Sequence, residues 1–143
     1  QSSAYVADAA AKVPLDVIQL HGSESETVVE EIRQCTGKPV WRAFQVTAPA
    51  VLTTAAATGA DGILFDSGKG SGKTFAWEWL RDFSRPYMLA GGLDTENVGE
   101  AIKTLSPRGV DVSSALETDG KKDPEKMRAF AEAVRRADSE TER

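Results

Sequence analysis

Only one cysteine and one histidine occur in the 143 residues, and their scarcity removes several kinds of chemistry. Cys35 alone cannot close an internal disulfide or build a thiolate zinc cluster, and His21 alone excludes multi-histidine sites, so no metal is expected. No apolar run approaches the roughly 18 to 20 residues that a spanning helix needs, and no membrane partner is expected. Cations are in the minority: 17 Lys and Arg against 22 Asp and Glu leave a net charge of −5. That is a poor balance for a phosphate-backbone binder, and no nucleic-acid partner is expected. The opening Gln1–Val13 is alanine-rich and lacks the apolar core of a signal peptide, which points to a soluble cytoplasmic protein. What remains, 41% apolar and 27% charged residues, suits one domain with a real core.

Short apolar runs stand at Asp16–Leu20, Val40–Phe44, Gly62–Asp66, Tyr87–Gly91 and Gly109–Ser113. A period in the low twenties with a helical stretch in every gap predicts βα units and a parallel sheet. Leucine-rich repeats share that period, but their L-x-x-L-x-L signature is missing. In the first gap Val28, Val29, Ile32 and Cys35 form one helical stripe, which places Cys35 on a buried edge as an inert thiol. Pro49 suits the first turn of a helix that Gly59 ends. Val98, Ala101, Ile102 and Leu105 form another stripe behind a cap at Asp94 or Thr95. The last helix has Asp123 as cap, Pro124 at its first position and a stripe of Met127, Phe130, Ala131 and Val134. The boundaries expected are a leading helix within 1–14, βα units over 15–137 and a frayed charged tail at 138–143, all in one domain.

Alternation along each strand separates two faces. Ile18 and Leu20 oppose Gln19 and His21; Trp41 and Ala43 oppose Arg42; Ile63 and Phe65 oppose Leu64 and Asp66; Val110 and Val112 oppose Asp111 and Ser113. One face is greasy enough to pack under helices, while polar groups gather on the other towards the C-terminal strand ends. A (β/α) barrel accommodates that lane, because its active site lies at those ends.

The segment Ser67–Thr74 (SGKGSGKT) invites a P-loop, but the first glycine of G-x-x-x-x-G-K-[ST] would fall on Ser67. A mobile loop over an active site is the better reading. Ala90–Leu93 (AGGL) and Ser113–Ser114, after the last two strands, suit a phosphate: glycines let backbone N–H groups approach an anion, and serine adds a hydroxyl donor.

QLHG (Gln19–Gly22), WRAF (Trp41–Phe44), FDS (Phe65–Ser67), GSGKTFAW (Gly70–Trp77), LAGGL (Leu89–Leu93), ENV (Glu96–Val98) and VDVSS (Val110–Ser114) occur here in order. The series resembles the phosphoribosylanthranilate isomerases of tryptophan biosynthesis, from about Leu15 to Phe130. The resemblance implies an α/β fold of the parallel (β/α)8 TIM-barrel family, here an incomplete barrel of about five βα units, the fourth to eighth strands. It implies a cofactor-free Amadori rearrangement of N-(5-phosphoribosyl)anthranilate to 1-(o-carboxyphenylamino)-1-deoxyribulose 5-phosphate. By the same likeness Asp66 is the general acid that opens the furanose ring; it must be protonated to serve, which partial burial favours. Gly91, Gly92, Ser113 and Ser114 would hold the phosphate, Asp111 would hydrogen-bond the substrate or order that loop, and His21 would contact the substrate at the barrel mouth.

This sequence departs from the family pattern at several points. Ala115 and Ala76 stand where the family has a glycine and an aspartate. The K-[IV]-C-G motif carrying the cysteine base is absent, Cys35 does not match it, and the arginine that grips the anthranilate carboxylate is missing, although Arg42 is a candidate to line the barrel. The expectation is therefore a C-terminal portion of such an isomerase, inactive alone and prone to self-association through open sheet edges. The alternatives are a small α/β module that binds a phosphorylated metabolite without catalysis and, more weakly, a P-loop nucleotide binder.

Overall fold

The computed structural model describes residues 2–21, 23–66 and 73–141. Along the chain run α1 (Ser3–Lys12), β1 (Ile18–Leu20), α2 (Glu26–Thr36), β2 (Val40–Gln45), α3 (Ala50–Ala57), β3 (Gly62–Asp66) and α4 (Lys73–Leu80). β4 (Met88–Ala90), α5 (Val98–Leu105) and β5 (Gly109–Val110) follow, then a 3₁₀ turn at Ser114–Leu116, a hairpin of β6 (Glu117–Thr118) and β7 (Lys121–Lys122), and α6 (Pro124–Thr141). Strands β1 to β5 form one sheet in chain order, every neighbouring pair parallel, as the repeat spacing predicts. The local signal for the β6–β7 hairpin is the Asp119–Gly120 pair alone, since its two-residue strands carry no apolar alternation. The SGKGSGKT loop falls largely outside the described residues.

Alternation sends the two faces of the sheet to different environments. Ile63, Phe65 and Leu89 pack with α5 and α6 residues such as Val98, Ile102 and Phe130, while Ile18, Leu20 and Val40 pack with Val29 and Ile32 of α2. The opposite face carries a small cluster of Ala43, Leu64 and Ala90 with Met88 against it. Phe65 is fully buried and meets the rings of Phe83 and Tyr87 edge-on at 4.9 and 5.2 Å. Burial pushes the Tyr87 phenol up to about 12, so it stays neutral and donates to the Leu105 carbonyl. On the inner face a Cβ at Gly62 would lie 2.5 Å from Trp41 Nε1, so the indole requires glycine beside it.

The structure corrects several local expectations. β1, β4 and β5 are shorter than their apolar runs; β5 ends at Val110, because beyond Asp111, which still donates to Leu89 O, the chain turns into the Ser113–Ser114 loop. Cys35 is exposed, not buried. Steps of three residues along a helix drift by about 60° each, so Thr36 continues the Val29–Ile32 line and Cys35 leaves it. Asp94 caps the turn before α5, accepting from Glu96 and Asn97 N–H, and helical geometry starts only at Val98. The tail does not fray at 138: α6 runs to Thr141, anchored by buried Ala137 and by Lys103 to Glu140 at 2.6 Å. Asp123 does cap this helix, accepting from Glu125 N–H at 2.9 Å.

Arg42 does not line the inner face. It is buried beneath α2, pairs with Glu26, donates to Glu24 O at 2.7 Å and lies 4.8 Å from the centre of the Phe44 ring. Glu26 also accepts from Thr58 Oγ1 and from Gly59 N–H at 2.9 Å. Its desolvation pushes its carboxyl up, but the Gly59, Thr58 and Arg42 donors outweigh that and hold it below the usual glutamate range. Asp61 is held low chiefly by the Val40 N–H at 2.8 Å, with Arg33 adding to it.

Two outcomes follow from this packing. Phe65→Ala should lower the unfolding free energy by about 3–5 kcal/mol, read as a drop in urea midpoint. Because the folded pKa values of Glu26 and Asp61 lie below their unfolded ones, their stabilisation is complete above roughly pH 4.3 and 3.9 and fades as pH falls through the folded values. E26Q and D61N should therefore flatten the acid limb of a urea-midpoint profile between pH 7 and 3.

Candidate active site

The C-terminal ends of β2 to β5 surround a cleft of about 530 Å³. The β2–β3–β4 register aligns Gln45, Asp66 and Ala90 on one rung, with neighbouring strands about 4.8 Å apart. Asp66 stands half-buried at the end of β3, and its carbonyl accepts from Val46 N–H at 2.9 Å. From the next strand end come Gly91 and Gly92, and beyond β5 come Asp111, Ser113 and Ser114. Six of the seven residues expected from the sequence thus line one cavity.

His21 is the exception. It is exposed and does not line the cleft, because β1 stops at the Leu20–Arg42 rung, three residues before the level of Gln45. Gln45 takes a place at the cleft that sequence reading missed. Its signal was available, since it continues the alternation of Trp41 and Ala43, but the apolar run was cut at Phe44.

The glycine loop is held from behind. Gly91 and Gly92 have φ of 85° and 63°, left-handed backbone that glycine adopts without a Cβ penalty. Asn97 Nδ2 donates to Gly92 O at 2.9 Å, and Asn97 Oδ1 accepts from Asp94 N–H at 3.0 Å. The Gly92 carbonyl is therefore committed to Asn97, where it does not oppose an anion. Among the described residues no backbone N–H of Ser113, Ser114 or Ala115 donates to a protein acceptor. The cleft thus brings the N–H groups and hydroxyls of Ser113 and Ser114 together with the carboxyls of Asp66 and Asp111, a set that suits a ligand with an anionic group and a proton-accepting centre. No group of three or more His, Cys, Asp or Glu among the described residues could hold a metal ion, and no described helix is long and apolar enough to cross a membrane.

A parallel βα sheet with its polar groups converging at the C-terminal strand ends is the arrangement of (β/α)-barrel enzymes. The family model described as N-(5'phosphoribosyl)anthranilate (PRA) isomerase matches residues 1–133. The chain is 44% identical over 149 aligned positions to the N-(5'-phosphoribosyl)anthranilate isomerase of Azorhizobium caulinodans, covering 95% of this chain and 65% of that one. The isomerase structure from Thermococcus kodakaraensis superposes with a TM-score of 0.85 at 35% identity, over 94% of this chain and 70% of that one. Another isomerase, solved with reduced 1-(o-carboxyphenylamino)-1-deoxyribulose 5-phosphate, has a TM-score of 0.79 at 30% identity, over 94% of this chain and 67% of that one. The chain belongs to the phosphoribosylanthranilate isomerase family, and its fold is that family's TIM-barrel type with five parallel strands. It spans 58 to 65% of the length of the first curated relatives it matches.

Gly92→Ala forces an L side chain into left-handed backbone and should cost about 1–2 kcal/mol in urea denaturation.

Proposed function

We propose that this cleft carries the acid and phosphate parts of an isomerase site acting on N-(5-phosphoribosyl)anthranilate. The supporting observation is the shared cavity of Asp66 with Gly91, Gly92, Ser113 and Ser114. In this reading Asp66 gives its proton to the furanose ring oxygen as the C1–O bond breaks, and the ring opens to a Schiff base. A base then takes the proton from C2, and the resulting enolamine tautomerises to the aminoketose. The glycine N–H groups and the two serines hold the 5-phosphate, fixing the ring oxygen near Asp66, and Asp111 hydrogen-bonds the sugar. His21 enters only as a rim residue.

In this reading the base for the second proton comes from outside this chain. Its one thiol, Cys35, lies on the exposed side of α2 and not at the cleft. That observation also favours a second reading, a module that holds a phosphorylated metabolite without transforming it. A polypeptide bearing the K-[IV]-C-G unit would add its strands at β1 and β5, the sheet edges among the described residues.

Turnover of freshly generated phosphoribosylanthranilate separates these readings. The chain alone should be slower than a mixture with such a polypeptide by about 10²–10⁴-fold, the usual worth of a positioned base. Asp66→Asn should remove the activity of the mixture while leaving phosphate binding intact. Robust turnover by the chain alone would mean that the base lies within these 143 residues.

A further inference from the structure

Among the described residues the cleft lining contains two carboxylates, Asp66 and Asp111, and no lysine or arginine. A phosphate ester carries up to two negative charges, so its end of the cleft calls for a cation from elsewhere in the fold. The β6–β7 hairpin supplies one. Its turn residues Asp119 and Gly120 have φ of 51° and 73°, which reverse the chain within two residues and set Lys122 opposite Glu117. Lys122 Nζ then lies 3.1 Å from Ser113 O, 3.3 Å from Ser113 Oγ and 2.7 Å from Glu117 Oε1.

We propose that Lys122 is the positioning residue of the phosphate end, acting through Ser113. This rests on the reading of the cleft as a phosphosugar site. An ammonium group only donates, so the Ser113 hydroxyl accepts from Lys122 and keeps its own proton for a ligand. The Ser113 carbonyl accepts from both Lys122 and Leu116 N–H, which commits it to the loop itself. Lys122 therefore leaves the Ser113 hydroxyl free to donate its proton, occupies the Ser113 carbonyl, and places a positive charge beside Ser113. Glu117 offsets part of that charge, and Lys126, which donates to Glu117 O at 2.7 Å, fixes the hairpin from the other side. The nearby sequence KKDPEK (Lys121–Lys126) gives no sign of which lysine does this, because only the register of the hairpin selects Lys122.

Calorimetric titration of the 143-residue chain with inorganic phosphate tests the assignment. K122Q should bind about tenfold more weakly, the scale of one charge-assisted hydrogen bond, and K122R should recover most of the loss. K121Q makes the same change in net charge at the neighbouring exposed position and should bind as the wild type does. E117Q should bind phosphate at least as tightly as wild type, an effect that a purely structural tie between Lys122 and Glu117 would not give. Equal affinity of K122Q and wild type, or an equal loss in K121Q, would overturn the inference while leaving the phosphate site standing. Absence of phosphate binding by the wild type would overturn the reading of the cleft and this inference with it. Thermal melts of each variant separate any loss of folding from loss of binding.

Discussion

Phe65 and Asp66 are neighbours in the chain with opposite destinations. Phe65 is fully buried among Phe44, Phe83 and Tyr87 on the helix side, and that burial leaves Asp66 no choice but the inner face. The parallel ladder carries the consequence sideways. Gln45 and Ala90 share the rung of Asp66, so the glycine loop that leaves β4 starts beside the carboxyl. A slip of one residue would reverse both side chains at once, burying the carboxyl and exposing the ring. The aromatic cluster is thus what registers the acid, and the chemistry of the cleft depends on packing on the far side of the sheet.

The loops above that rung are ordered by groups that do not face a ligand. Asn97 holds the Gly92 carbonyl, Leu116 and Lys122 hold the Ser113 carbonyl, and in each case the carbonyl's commitment keeps it from opposing an anion. Preorganising donors in this way removes a cost that binding would otherwise meet. It also explains why segments with no regular structure sit where they do: each is tied to the element that follows it, α5 for one and the β6–β7 hairpin for the other.

The buried Arg42 illustrates how a charged residue serves the scaffold. It takes its place under α2 with Glu26, Glu24 and Phe44 as partners, linking the start of α2 to the loop before β3. Removing one partner of such a network leaves the others without compensation, so its members act as a unit rather than as separate contacts. The arginine that family resemblance leads one to seek near the anthranilate carboxylate is not this one.

The spacing of apolar runs was enough to give five strands in chain order, and the Gly-Gly and Ser-Ser positions after the last two were enough to mark the cleft, because both depend on patterns a few residues long. Alternation alone placed Asp66 and Asp111 on one face. It could also have placed Gln45, had the second strand been read one residue further. Other placements depended on contacts between distant segments. Whether Arg42 faced a ligand or a helix was decided by Glu26 and Phe44, the length of β1 kept His21 from the cleft, and the burial of Ala137 against α5 extended the last helix. Lys122 reached Ser113 only because a hairpin folded it back across Glu117. Local periodicity says which residues share a face; what covers that face, and which loop returns to it, is settled by packing between segments far apart in the chain.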